Sequence, residues 1–171
     1  MALVVEDGTM VSGAESYCTT AYADTYHANR GNTAWDSLDD DVKEASLRKA
    51  TDYMVGRYRA AWAGVKKSVS QSLDWPRDIV PVLDGPTNFT QYYENTIVPT
   101  EVKNACASLA LRAATAALVP DQERAVLSEQ VGPISTTYDP NSSRQTKYVE
   151  IDDMLSPYLK NRGRAVPLVR V

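Results

Sequence analysis

The chain has 171 residues and a formal net charge of −4, enough for one domain, or one domain with extensions, to close a core without disulfides. The acidic balance argues against a general nucleic-acid coat. No run of eighteen apolar residues predicts a membrane span, and MALVVEDGTMV lacks the basic start and long apolar stretch of a secretory signal. Only Cys18 and Cys106 occur, far apart, which predicts two reduced, mostly buried thiols.

Leu3-Val4-Val5 opens the chain as a short β-prone run, an edge strand or an arm, before an acidic, glycine-containing loop. Residues 19–30 read as the first helix, with Thr19 as N-cap and Gly31-Asn32 as its stop. The lone His27 lies here, and a His-based metal site or dyad within one subunit is excluded because no second histidine exists.

Residues 38–64 read as the longest helix. Asp39 is the expected N-cap, and Asp40 and Asp41 suit the positive end of the helix dipole. Val42, Ala45, Leu47, Ala50, Met54, Tyr58 and Ala61 form an apolar stripe at helical spacing. At about 1.5 Å per residue such a helix spans roughly 33 Å, so other elements must pack along it. Gly56 is its weak point, costing about 1 kcal/mol relative to alanine, and predicts either a close backbone approach or a bend.

Residues 65–98 read as a long proline-containing loop. Its most distinctive run is Gln71-Ser72-Leu73-Asp74-Trp75-Pro76-Arg77, expected to clamp the loop onto the core, with Arg77 stacked on Trp75 or paired with Asp74. Residues 100–118 read as a third helix, with Thr100 as N-cap and a face of small residues that predicts packing on the long helix. Residues 126–138 change period around Gly132-Pro133 and read as a β-hairpin. Residues 148–160 read as a last helix that Pro157 must kink or shorten. Beyond it, 161–171 carries basic and apolar residues and no acidic side chain.

These elements predict a mainly α fold. A small helical bundle surrounds one long helix in residues 1–160, with a β-hairpin or short strands and an extended tail at 161–171. No nucleophile–histidine–acid set has a recognisable spacing, and no phosphate-binding glycine motif occurs. The acidic runs at 39–41 and 150–153 are explained by helix starts. Neither catalysis, nor a metal, nor a cofactor is expected.

Taken in order, several motifs form a pattern. They are Ser16-Tyr17, Arg30-Gly31-Asn32, Ala50-Thr51-Asp52-Tyr53, the 71–77 run, Pro99 with Val102-Lys103, and Glu129-Gln130-Val131-Gly132-Pro133-Ile134. This order resembles the tailed-phage head–tail connector proteins, also called adaptors or head-completion proteins, some of whose relatives are labelled DnaT-like single-stranded-DNA-binding proteins. The tyrosine-rich 78–98 stretch is longer than that pattern.

The resemblance implies a structural virion protein of the neck, between head and tail, made in the host cytoplasm and without membrane contact. It implies a homo-oligomeric ring, expected twelvefold, beneath the portal protein. The ring would extend the channel for double-stranded DNA without reading its sequence, and dock the next neck, stopper or tail-terminator protein. The portal-binding tail then falls on Arg162, Arg164, Val166, Pro167, Leu168, Val169, Arg170 and Val171. The arginines suit carboxylates, and the apolar residues suit a groove or sheet edge. The expected subunit interface comprises Lys43, Arg48, Asp52 and Arg59 on the long helix, with Trp75, Arg77, Tyr92 and Tyr93 from the loop. The competing reading is a single-stranded-DNA-binding replication protein, with Trp75, Tyr92 and Tyr93 as stacking platforms and Lys66-Lys67 as cations.

Overall fold

The computed structural model describes residues 2–86, 89–120, 128–131, 134–137 and 146–160. The fold is mainly α. Helix α1 spans Thr20–Ala28, α2 Thr33–Asp36, α3 Asp40–Tyr58, α4 Thr100–Thr115 and α5 Val149–Leu155, which passes into a 3-10 turn at Ser156–Tyr158. Among the described residues three two-stranded antiparallel ribbons accompany them. Strands β1 (Val65–Lys66) and β2 (Arg77–Asp78) pair, as do β3 (Pro81–Val82) and β4 (Gln91–Tyr92). Strands β5 (Ser128–Val131) and β6 (Ile134–Thr137) form the predicted hairpin, with Val131 opposite Ile134 across Gly132-Pro133.

The long helix packs on α4 through residues the periodicity had aligned. Leu47, Ala50 and Met54 of α3 are fully buried, as are Val102, Ala105, Cys106 and Leu109 of α4. Each fully buried Leu or Met contributes roughly 1.5–3 kcal/mol of hydrophobic stabilisation. Alanines between them let the two backbones approach. Ile151 and Leu155 of α5 close the core from a second side, and Tyr58 donates a 2.6 Å hydrogen bond to Asp152.

Helix ends depart from expectation in instructive ways. Thr19 caps α1 as predicted, accepting from the Tyr22 N–H at 3.1 Å. Asp39 occupies the cap position of α3, but its side chain makes no capping bond. The cap of α4 is Pro99, not Thr100; the Pro99 carbonyl accepts from Val102 and Lys103. Proline's fixed φ places it well at a helix entry, where a missing N–H costs nothing. The long helix ends at Tyr58, short of the predicted Gly64. Gly64 instead turns the chain into β1 at φ +64°, where its α-carbon faces the Asp78 carbonyl without room for a side chain. Gly56 lies inside the continuous α3, with no described backbone close to it; a side chain there would meet open space. Pro157 shortens the last helix as expected, standing within the 3-10 turn.

Candidate interaction surfaces

The 71–77 run is built inward. Gln71 accepts from the Ser68 N–H at 2.9 Å and donates to the Leu73 and Pro76 carbonyls at 2.9 and 3.0 Å. The Asp74 N–H donates to the Tyr17 hydroxyl at 3.1 Å. Trp75, fully buried and followed by a cis peptide bond to Pro76, meets Trp62 and Tyr158 edge-on at 5.7 and 5.6 Å. Arg77 reaches the segment between α3 and β1, donating to the carbonyls of Ala63 (2.8 Å) and Gly64 (3.0 Å), and also to that of Asp74 (3.1 Å). Its expected pairing with the Asp74 carboxylate is not made. Asp74 Oδ1 instead faces Arg59 at 3.2 Å and Lys66 at 3.4 Å. Burial lowers the pKa of the Arg77 guanidinium from its ordinary value, with the nearby Asp74 charge opposing. The run clamps the loop, as the sequence suggested.

This geometry removes several residues from the surfaces assigned to them. Trp75 and Arg77 are buried within the protomer, so neither side chain is displayed on its surface. Lys43, expected on an exposed polar flank, is buried as well; it lies 3.0 Å from Asp24 and over the Trp35 ring. Trp35 donates to the same Asp24 carboxylate at 2.7 Å, so the three residues fasten α1 and α2 to α3. Arg48 is half-buried and pairs with Glu15 at 2.8 Å and Glu44 at 3.3 Å. Tyr93 is half-buried against the Tyr158 ring. Asp52, Arg59 and Tyr92 remain exposed. The portal-binding tail, Arg162 to Val171, lies outside the described residues.

The remaining titratable groups serve packing. His27 is buried, donating from Nε2 to the Ala107 carbonyl at 3.0 Å and accepting on Nδ1 from Asn32 at 3.1 Å, the neutral tautomer. Burial lowers its pKa. Both cysteines are free and buried. The Cys18 thiol is held well above its ordinary value by its hydrogen bond to Cys106 and by burial. Burial and a 2.5 Å hydrogen bond to Glu101 raise Tyr158. Among the described residues no cluster of metal-ligating side chains forms, and no helix is long and apolar enough to cross a membrane.

Two accessible surfaces stand out. The first is the strap, residues 79–97, which carries β3 and β4. It exposes Ile79, Leu83, Phe89 and Tyr92, with Phe89 83% and Leu83 67% exposed. Residues 78–98 contain Asp78, Asp84 and Glu94 and neither Lys nor Arg. Phe89, the chain's one phenylalanine, went unremarked as a surface residue because composition does not report exposure. The second is a groove of about 790 Å³ between α3 and the segment that follows α4. Among the described residues Tyr53, Ala117, Leu118 and Val119 line it, with Lys49 and Arg57 as cations and Asp52 as the carboxylate. Lys49 and Arg57 are both exposed. No local pattern signals the groove, since its walls come from segments about sixty residues apart on different elements.

The fold is thus a mainly helical scaffold displaying an apolar, acidic strap and an apolar, cation-rimmed groove. A family model described as "Putative DnaT-like ssDNA binding protein" matches residues 1–171, and the chain belongs to that family. No curated protein matches the chain, and no solved structure does.

Proposed function

We propose that the protein is a structural assembly component, a ring-forming connector between a phage portal and the next neck protein. The carrying observation is the chemistry of the strap. A surface for single-stranded nucleic acid sets aromatic platforms among cations that track the phosphates. The two exposed aromatics here, Phe89 and Tyr92, instead stand in a stretch with three carboxylates and no cation, which repels a phosphate backbone and suits a protein partner. The order of motifs that resembles the connector proteins supports the same reading. The basic, apolar segment 161–171 is then the portal-docking element, its weak single contacts multiplied by the valency of a ring.

The test is to delete residues 161–171 and challenge portal-containing heads. The reading requires a folded protein that no longer joins them. Unimpaired joining by the truncated chain removes the tail from the portal contact, and failure of the full chain to bind heads at all overturns the connector role.

The family description favours a second reading, a single-stranded-DNA-binding replication protein. Of the residues the sequence offered it, Lys66, Lys67, Tyr92 and Tyr93 keep solvent access, while Trp75 is buried. Titrating single-stranded DNA at two salt concentrations separates the readings. Micromolar binding that weakens steeply with salt establishes the second. Binding absent at both concentrations leaves the connector.

A further inference from the structure

Strap and groove are complementary. The strap presents Leu83, Phe89 and Tyr92 beside Asp84 and Glu94, and the groove presents Leu118 and Val119 beside Lys49 and Arg57. Val119 is 68% exposed, an apolar residue left uncovered by its own protomer. No described residue of the strap lines the groove of its own chain. Gly56 sharpens the point. A glycine within a helix weakens it, and this one faces the groove with open space where a side chain would stand. No described residue of the protomer approaches it closely enough to require it. A partner backbone laid along the groove would.

We infer that the groove receives the strap of a second copy of this chain. The contact is head-to-tail: each protomer offers one strap and one groove, so the association is heterologous and propagates until a ring closes. Apolar burial of Phe89 and Leu83 supplies attraction. Asp84 and Glu94 meeting Lys49 and Arg57 set the orientation, since reversing either set of charges places like charges together. Segment 161–171 is the wrong occupant for the groove, as its arginines would face Lys49 and Arg57. The inference rests on the ring-forming reading but concerns only which surfaces make the subunit contact.

Two variants of the full chain test it: a strap variant, D84K/E94K/F89S, and a groove variant, K49E/R57E. Circular dichroism checks that each is folded, and native mass spectrometry and light scattering measure mass against concentration. The wild type self-associates, and each variant alone does so at least about tenfold more weakly, a change of about 1.4 kcal/mol. Mixing D84K/E94K/F89S with K49E/R57E discriminates further. The first retains a groove and the second a strap, and their two reversed surfaces again carry opposite charges, so the mixture regains an association that neither variant shows alone. Gly56→Leu is a third arm: it fills the groove, lowers self-association and leaves thermal stability equal or higher.

Wild-type association unchanged in both charge variants overturns the contact while leaving ring formation intact. A wild type that stays monomeric at every concentration overturns the contact too, and the connector role is then judged by head joining alone. Loss of association on deleting 161–171, with the strap and groove variants unaffected, assigns the subunit contact to the tail instead.

Discussion

Trp75→Ala separates a core residue from an interface residue. A fully buried tryptophan replaced by alanine costs about 3–5 kcal/mol in lost transfer and cavity energy. The structure lowers that figure. The Trp75 indole N–H is buried without a hydrogen-bond partner, so removing it relieves a penalty of about 1–3 kcal/mol. A net loss of about 2 kcal/mol, and at most about 4, follows. For a chain of this size each kcal/mol shifts the melting temperature by about 2–4 °C, so the midpoint should fall by roughly 5–15 °C. Urea unfolding followed by far-ultraviolet circular dichroism at low protein concentration gives the free energy without contributions from assembly. A stability loss under about 1 kcal/mol, accompanied by impaired self-association, would refute the argument and return Trp75 to a subunit interface.

Three further outcomes follow from the same geometry. Gly64→Ala forces an L-residue into φ +64° against the Asp78 carbonyl and should cost about 2–4 kcal/mol in urea unfolding; a neutral effect would mean the β1–β2 ribbon moves freely from the helix end. Tyr58→Phe removes the donor to Asp152 and should cost about 1–3 kcal/mol, with amide exchange accelerating more in Val149–Leu155 than in α4. Equal acceleration in both would show that this bond does not anchor α5 in particular. His27 produces a pH dependence. Its folded pKa lies below the ordinary value of 6.5, so the unfolded chain binds a proton that the folded chain refuses. The resulting stability is present above about pH 6.5 and is lost progressively as pH falls towards the folded pKa. Urea midpoints measured across that window should slope less in His27→Gln than in the wild type, and identical slopes would exclude His27 as the cause.

Much of the architecture was legible in the residues alone. Leu47, Ala50, Met54 and Tyr58 of the α3 stripe, the small residues of α4, Thr19 as a cap and the pairing of the two strands within 126–138 follow from local rules, because helical period, capping and turn chemistry act over a few residues, whereas Val42 of the same stripe is exposed. The clamp at 71–77 was also anticipated, since proline beside tryptophan in a long loop signals a fixed, inward-facing turn. Helix ends were placed less well. Whether Asp39 bonds the first turn, or Pro99 rather than Thr100 begins α4, depends on the incoming backbone angle.

Surface assignments were where local reading failed, for a single physical reason. Lys43, Trp75 and Arg77 have side chains that serve equally at an interface or in a core, and only their neighbours decide. Asp24 and Trp35 draw Lys43 inward; Trp62 and Tyr158 enclose Trp75; three backbone carbonyls hold Arg77. Periodicity and composition by themselves determined a mainly α scaffold, one dominant helix, an acidic chain and a cation-free stretch at 78–98. Tertiary packing alone decided that Leu83, Phe89 and Tyr92 stay uncovered, and that Gly56 opens onto a groove flanked by Lys49 and Arg57. Exposure is a property of what distant segments leave uncovered, and no local pattern encodes it.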